Sequence, residues 1–274
     1  MTISLKRTGL LCALLAGLAA CSSAPPPRPP AALERANAAD KEAHRAMRDG
    51  DLAVARNLFE LTLRLQQSQD NLPGVATAAI NLAVVYHRLG NDDLALRLLD
   101  AIFNDTLTPY PAELRAAAAF RKAVILVDSG NKEAAAALEN AAKSCSGSCE
   151  FVPGIHNLRA RMALGKGDYA AVRKLSKDAA DAAGDHKDEL ANAKRYAATA
   201  EAALGQHNQA LEHYLAALEL DKQLGIGGRI AEDLDGIAKA LAQLGRKDES
   251  AAYAHRAAAA HDALHYQPGD VPAP

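Results

Sequence analysis

The chain has 274 residues, of which 49% are apolar, and its 31 basic and 33 acidic side chains give a formal net charge of −2. This composition excludes an intrinsically disordered chain, and the balanced charge excludes the basic surface of a nucleic-acid-binding protein. Tryptophan is absent and alanine abundant, which favours closely packed helices over a β-sandwich or an enzyme with a large pocket. We therefore predict an all-α fold and expect no nucleic-acid partner.

The first 20 residues have the pattern of a secretory signal peptide. Lys6 and Arg7 precede an apolar run over residues 9–18, which is too short to cross a bilayer as a stable helix. The sequence thus predicts an exported protein.

The apolar run leads directly into Leu18-Ala19-Ala20-Cys21, which resembles the lipobox of bacterial lipoproteins. The resemblance implies that Cys21 carries the lipid and begins the mature chain, and that Ser22 beside it directs the protein to the outer membrane of a Gram-negative bacterium. Several acyl chains on one residue are sufficient for stable anchoring. The alternative is an ordinary signal peptide cleaved near Ala20, with Cys21 incidental.

A proline-rich segment, SSAPPPRPP, follows the cysteine and predicts an extended spacer between the lipid and the folded part. The last eight residues, QPGDVPAP, predict a loose tail. The expected organisation is a signal peptide at 1–20, a lipidated cysteine with its linker at 21–31, a helical domain at 32–266 and a flexible tail at 267–274.

One unit recurs six times in the helical domain, and a glycine marks each copy. The glycines lie 37 to 40 residues apart, as in a repeat array. Alanine stands seven positions before each glycine, and mostly small residues stand five and twelve positions after it, so we predict close helix contacts there. The glycines are Gly50, Gly90, Gly130, Gly167, Gly205 and Gly245; the alanines before them are Ala43, Ala83, Ala123, Ala160, Ala198 and Ala238.

The positions after the glycine are less uniform than the alanine before it. Ala135 and Ala142 are the members expected at helix contacts in the third unit. Nine positions after the glycine, Phe59, Leu99 and Tyr214 fit a core position, whereas Glu139, Ser176 and Ala254 do not.

A glycine that ends one helix and an Asp or Asn that begins the next predict antiparallel helix pairs. Four of the six glycines are followed by such a capping residue: Asp51, Asn91, Asn131 and Asp168. The predicted pairs are 32–49 with 52–69, 73–89 with 92–104, 111–129 with 132–144, 154–165 with 168–183, 187–204 with 207–223, and 229–244 with 247–265.

This pattern resembles the tetratricopeptide repeat, and the best matches are residues 43–63, 83–102 and 198–218. The sequence departs from the family in its longer period, in lacking the leading Trp and in lacking the closing Pro. The resemblance implies a right-handed α-solenoid of about six helix pairs, with a concave face lined by the first helix of each pair.

Two cysteines and two histidines are the other candidates for chemistry. Cys145 and Cys149 frame a short link, and in an exported protein they predict a disulfide; a redox or zinc pair is the weaker alternative, because the spacing is not C-x-x-C. His261 and His265 share one helix face, but no Glu follows the first as in H-E-x-x-H, so a solvated face is the better interpretation. We expect no metal, no cofactor and no catalytic residues, and hence no enzyme.

The expected concave face is the candidate binding site. Its arginines, among apolar and amide side chains, could hold an extended acidic or carboxylate-bearing partner; alternatively, they are ordinary solvated side chains. The candidate groove residues are Asn81, Arg88, Phe120, Arg121, Asn157, Arg161, Arg195 and Tyr196.

Together these features predict a lipid-anchored, periplasm-facing scaffold or adaptor that binds a protein of the cell envelope. Such a scaffold would assist assembly of a pilus secretin, of outer-membrane proteins or of cell-wall machinery, by analogy of architecture. The alternative is a periplasmic carrier or sensor for a small molecule or glycan. The sequence gives no indication of the oligomeric state.

Overall fold

The computed structural model describes residues 30–145 and 149–264, and these ranges form twelve α-helices without a strand. The all-α prediction is confirmed, and each predicted helix is present. The helices are α1 (Ala31–Asp49), α2 (Leu52–Ser68), α3 (Leu72–Arg88), α4 (Asp92–Phe103), α5 (Ala112–Asp128), α6 (Ala134–Ser144), α7 (Val152–Gly165), α8 (Tyr169–Ala182), α9 (Lys187–Ala203), α10 (His207–Leu224), α11 (Gly227–Gln243) and α12 (Lys247–Leu264).

Each helix pair turns at its predicted glycine. All six turn glycines have a positive φ, between 63° and 82°, which a residue without a Cβ adopts at little cost. Asp51 and Asp168 cap the following helices by accepting a hydrogen bond from the backbone N–H three residues on. The first and second helices of a pair are therefore antiparallel neighbours, with only a few residues between them.

The pairs stack so that four of the five core clusters are shared between one pair and the first helix of the next, while the fifth joins α10 to α11 and α12. One cluster, for example, joins Ala83 of α3, Leu99 of α4 and Ala118 of α5. All six alanines that precede the turn glycines are buried, as predicted. Because each unit is stabilised mainly by its neighbours, the chain is an α-solenoid, as predicted; its right-handed sense stays a prediction.

The third unit departs from the predicted register by one residue. Ala135 is exposed and Ala142 only half-buried, whereas Ala134 and Ala141 are buried. Leu138 likewise fills the core position where the repeat would place Glu139. The reason is local: α6 begins only at Ala134, after a turn in which Asn131 Oδ1 accepts a hydrogen bond from the backbone N–H of Glu133 at 2.9 Å.

Ser176 in the fourth unit corrects a second expectation. It is buried, although a serine at this position was not expected to pack in the core. Its hydroxyl donates to the carbonyl of Val172 at 2.7 Å, one turn earlier in α8. The polar group is satisfied within its own helix, so its burial leaves no unpaired donor.

The first helices line one side of the stack. From α3 onward each first helix contacts the next one, α3 with α5 and so on to α11, whereas consecutive second helices in the described ranges make no comparable contacts. Because consecutive first helices approach more closely than consecutive second helices do, the first helices lie on the inner side of the curved stack. Over residues 30–145 and 149–264, no helix is long and apolar enough to cross a membrane.

Candidate partner-binding face

Two of the candidate groove residues are buried, and a third is largely enclosed, so that none of the three is available to a partner. Phe120 is 5% exposed and stacks on Phe151, with ring centroids 5.1 Å apart, inside the core between α5, α6 and α7. Asn157 is 4% exposed, and its amide donates to the carbonyl and to a carboxylate oxygen of Glu189, both at 2.8 Å. The expectation that these two residues line a groove is wrong, because the next first helix covers them.

Arg195 is the third, and it belongs to a buried ionic cluster. Its side chain is 12% exposed and lies between Asp221 and Asp233, which are both 0% exposed. Arg195 Nε donates to Asp233 Oδ1 at 2.7 Å, and its terminal nitrogen donates to Asp221. The guanidinium therefore joins α9, α10 and α11 in the interior and has little left to offer a partner.

Two carboxylates share this single guanidinium, which changes the protonation of one of them. Burial raises the pKa of Asp233 to about 7, because desolvation disfavours the charged form more than Arg195 favours it. The nearby carboxylate of Asp221 acts in the same direction as burial. One of the two acids thus carries a proton over much of the acidic range.

This cluster predicts a stability that falls as the pH rises. Between the ordinary carboxyl pKa of 3.8 and about 7, the folded protein holds a proton on Asp233 that the unfolded chain has released. The stability linked to this proton is fully present below pH 3.8 and is lost as the pH rises through about 7. Over this range the free energy of unfolding should fall by at most about 1.4 kcal/mol per pH unit. Urea unfolding of the wild type and of Asp233→Asn at several pH values measures this loss. As the pH rises to about 7, the unfolding free energy of the wild type should fall relative to that of Asp233→Asn, because Asn does not titrate. A difference independent of pH would contradict the prediction.

Arg161 lies at the surface but is paired. Its side chain is 42% exposed and contacts the carboxylate of Asp128, which also accepts from His87 at 3.1 Å. His87 in turn contacts Asp92 at 2.6 Å. Burial alone would lower the pKa of His87, but the hydrogen bonds with Asp92 and Asp128 raise it. This chain of charges connects α3, α5 and α7 across the first helices.

The remaining candidates stay accessible to different degrees. Arg121 is exposed, with its guanidinium 5.7 Å from the centre of the Phe120 ring, and Arg88 is exposed and donates to the carbonyl of Met47 at 3.1 Å. Asn81 and Tyr196 are half-buried, and burial raises the pKa of Tyr196. We define the first-helix face as the surface that carries Asn81, Arg88, Arg121, Arg161 and Tyr196.

The carboxylates that pair with the predicted arginines were missed from the sequence. Asp128, Asp221 and Asp233 lie 26 to 38 residues from their arginine partners. Two of these separations approach one repeat length, so opposite charges about one period apart were the signal that could have found them. Within residues 30–145 and 149–264, the arginines of the first-helix face without a carboxylate partner are thus Arg88 and Arg121.

The other predicted sites divide between described and undescribed residues. Cys145 and Cys149 form a disulfide, with their Cα atoms 5.2 Å apart. His261 contacts Asp235 at 3.0 Å, and the described residues contain no group of three ligating side chains that could hold a metal. Cys21, His265 and the tail at 267–274 lie outside the described residues, so lipidation and outer-membrane localisation stay predictions, as does the absence of enzymatic activity.

Comparison with known proteins supports the repeat assignment for the first two helix pairs. Residues 34–102, which span most of α1 to α4, match the family model of the tetratricopeptide repeat. No curated protein matches the chain. Among solved structures, the chain is similar to the MamA protein, at 13% identity over 87% of this chain and 99% of that one with a TM-score of 0.36. It is also similar to BtubC (BKLC) from P. vanneervenii, at 14% identity over 90% and 97% of the two chains with a TM-score of 0.49.

Over the described residues the class of protein is an all-helical α-solenoid, of which residues 34–102 match the tetratricopeptide repeat. Repeats of this kind are most often scaffolds that present an extended surface to another protein.

Proposed function

We propose that the protein is a lipid-anchored, periplasm-facing scaffold that binds an envelope protein through its first-helix face. The lipobox-like sequence at Cys21 supports the membrane location, and the match to tetratricopeptide repeats supports the role as a scaffold. The partner would be a component of a pilus secretin, of outer-membrane proteins or of the cell-wall machinery.

The observation that carries the proposal is the position of Arg88 and Arg121. Both are exposed on neighbouring first helices, and neither has a carboxylate partner among the described residues. The half-buried Asn81 and the half-buried apolar Val84 and Val124 lie on the same helices. Two guanidinium groups that no carboxylate of the described residues neutralises, above partly apolar helix surfaces, suit an extended segment that bears carboxylates.

The test is affinity capture with the full-length tagged chain from detergent-solubilised membranes. Replacing Arg88 and Arg121 together by Glu should abolish recovery of the partner, because carboxylates would then face carboxylates. Arg97→Glu is the matched control, since Arg97 is exposed on the second helix α4 and should leave recovery unchanged. Equal recovery by all three chains would exclude the first-helix face as the binding surface.

The proposed lipid anchoring at Cys21 has its own test. Replacing Cys21 by Ala should move the protein from the membrane fraction to the soluble fraction, because no acyl chain can then be attached. Fractionation after a high-salt wash measures the change, and a chain with Ser22→Ala should stay in the membrane. Unchanged membrane retention of Cys21→Ala would remove the lipid anchor from the proposal.

A further inference from the structure

A groove lies above each of the first helices α3, α5, α7 and α9, where that helix separates the second helix of its own pair from the second helix of the preceding pair. These four grooves hold cavities of about 420, 150, 270 and 540 Å³, in chain order. The fourth cavity lies between α8, α9 and α10, away from the first-helix face. Its polar lining includes Arg173, Lys174, Lys177, Lys194, Glu201 and His213.

The floor of this cavity differs from that of the other three. The residue four positions before the turn glycine lines each groove, and it is Tyr86, Leu126 and Ala163 in the others but Glu201 here. In each of the other five units, the residue four positions before the turn glycine and the residue eight positions after it are both apolar or aromatic. The pairs are Ala46 with Leu58, Tyr86 with Leu98, Leu126 with Leu138, Ala163 with Leu175, and Leu241 with Tyr253, against Glu201 with His213.

Glu201 is buried, and one of its two carboxylate oxygens has no hydrogen-bond partner within the described residues. It is 7% exposed, and its Oε2 accepts no hydrogen bond. The imidazole Nε2 of His213 lies 3.5 Å from Oε2, beyond a normal hydrogen-bond distance. A buried carboxylate oxygen without a donor is destabilising, and four of the five sister units show that the fold accepts an apolar residue here, while the fifth has Tyr86. The position is therefore suited to a ligand that supplies the missing donor.

The same cavity holds cations that no carboxylate neutralises. Lys174 is 3.2 Å from Asp178, and Lys177 is paired with Asp181 in the next turn of α8. Arg173 and Lys194, in contrast, form no ion pair within the described ranges. The carboxylate of Glu201 at the floor, with His213 as its neighbour, and two cations without a carboxylate partner in the lining give the cavity charges of both signs.

We propose that this cavity binds a small zwitterion, such as an amino acid or a short peptide, on the side of the solenoid away from the partner-binding face. The ammonium group of the ligand would donate to Glu201, and its carboxylate would accept from Arg173 and Lys194. The small lining residues Ala170, Ala193 and Ala197 leave room for a compact ligand. A cavity of about 540 Å³ is within the range of small-molecule sites.

Calorimetric titration of the full-length chain with L-alanyl-L-alanine tests this site. The dipeptide should bind saturably at millimolar concentration, whereas N-acetylation of its amine or amidation of its carboxylate should abolish binding. The isosteric change Glu201→Gln should weaken binding by about tenfold or more, the loss expected when a charge-assisted hydrogen bond is removed. No saturable binding by the wild type, or equal binding by Glu201→Gln, would overturn the proposal.

A second variant separates binding from folding. Replacing Glu201 and His213 together by Leu restores the apolar pair of the other units, so it should raise the melting temperature while abolishing dipeptide binding. A lowered melting temperature would show that the two polar residues stabilise the fold, and this result would also overturn the proposal. The partner-capture experiment is independent, because its variants lie on the first-helix face.

Discussion

Replacing Arg195 by Met is expected to lower the free energy of unfolding by about 3–5 kcal/mol, the usual effect of breaking a buried ion pair. The guanidinium is the cation between the buried Asp221 and Asp233, and Met leaves both acids without a positive neighbour. Urea unfolding at neutral pH, followed by circular dichroism, measures the loss.

Two further variants show whether charge or packing causes this loss. Adding Asp221→Asn and Asp233→Asn to Arg195→Met should recover much of the stability, because no buried charge then remains unpaired. Arg161→Met is the matched control, since Arg161 is 42% exposed and its pair with Asp128 should contribute at most about 1 kcal/mol. Similar losses for Arg161→Met and Arg195→Met would contradict the structural difference between the two sites.

Replacing Phe120 by Ala is expected to destabilise the protein by about 3–5 kcal/mol, as truncation of a buried aromatic residue does. The ring is 5% exposed, stacks on Phe151 and lies over Gly154, where a Cβ would come within 2.5 Å of the Phe120 ring. Removing the ring therefore opens a void where the third helix pair meets the fourth.

Its neighbour in sequence provides the control for Phe120. Arg121→Ala should change the unfolding free energy by no more than about 0.5 kcal/mol, because Arg121 is exposed and forms no ion pair within the described ranges. If Phe120→Ala were neutral for folding but impaired partner capture, Phe120 would be a binding residue after all, as the sequence alone suggests.

The helix pairs could be predicted because their determinants are local. Gly205 fixes a turn through its positive φ, and Ala198 and Ala210 fix the helix contact through their small volume, whatever lies elsewhere in the chain. The third unit shows the limit of such rules. A turn that Asn131 closes before α6 shifts the buried face by one residue, and the repeat pattern contains no signal for that shift.

The candidate face was harder to predict because it depends on which side chains meet across units. Arg161 and Arg195 are identical in type, and both lie on first helices. Only the positions of Asp128 and Asp233 reveal that one guanidinium is paired at the surface and the other in the interior. Glu201 could have been found from the sequence, since comparing the six units position by position isolates it as the charged residue among apolar ones.

The most direct measurement of the central claim, that the first-helix face binds a protein partner, is photo-crosslinking in cells. Thr77 is exposed on α3 and lies four and eleven residues before Asn81 and Arg88, on the same side of the helix. A photoreactive amino acid at Thr77 should give a discrete crosslinked protein that disappears when Arg88 and Arg121 are replaced by Glu, whereas the same probe at the exposed Leu94 of the second helix α4 should give none. A crosslink from Leu94 but not from Thr77 would contradict the claim.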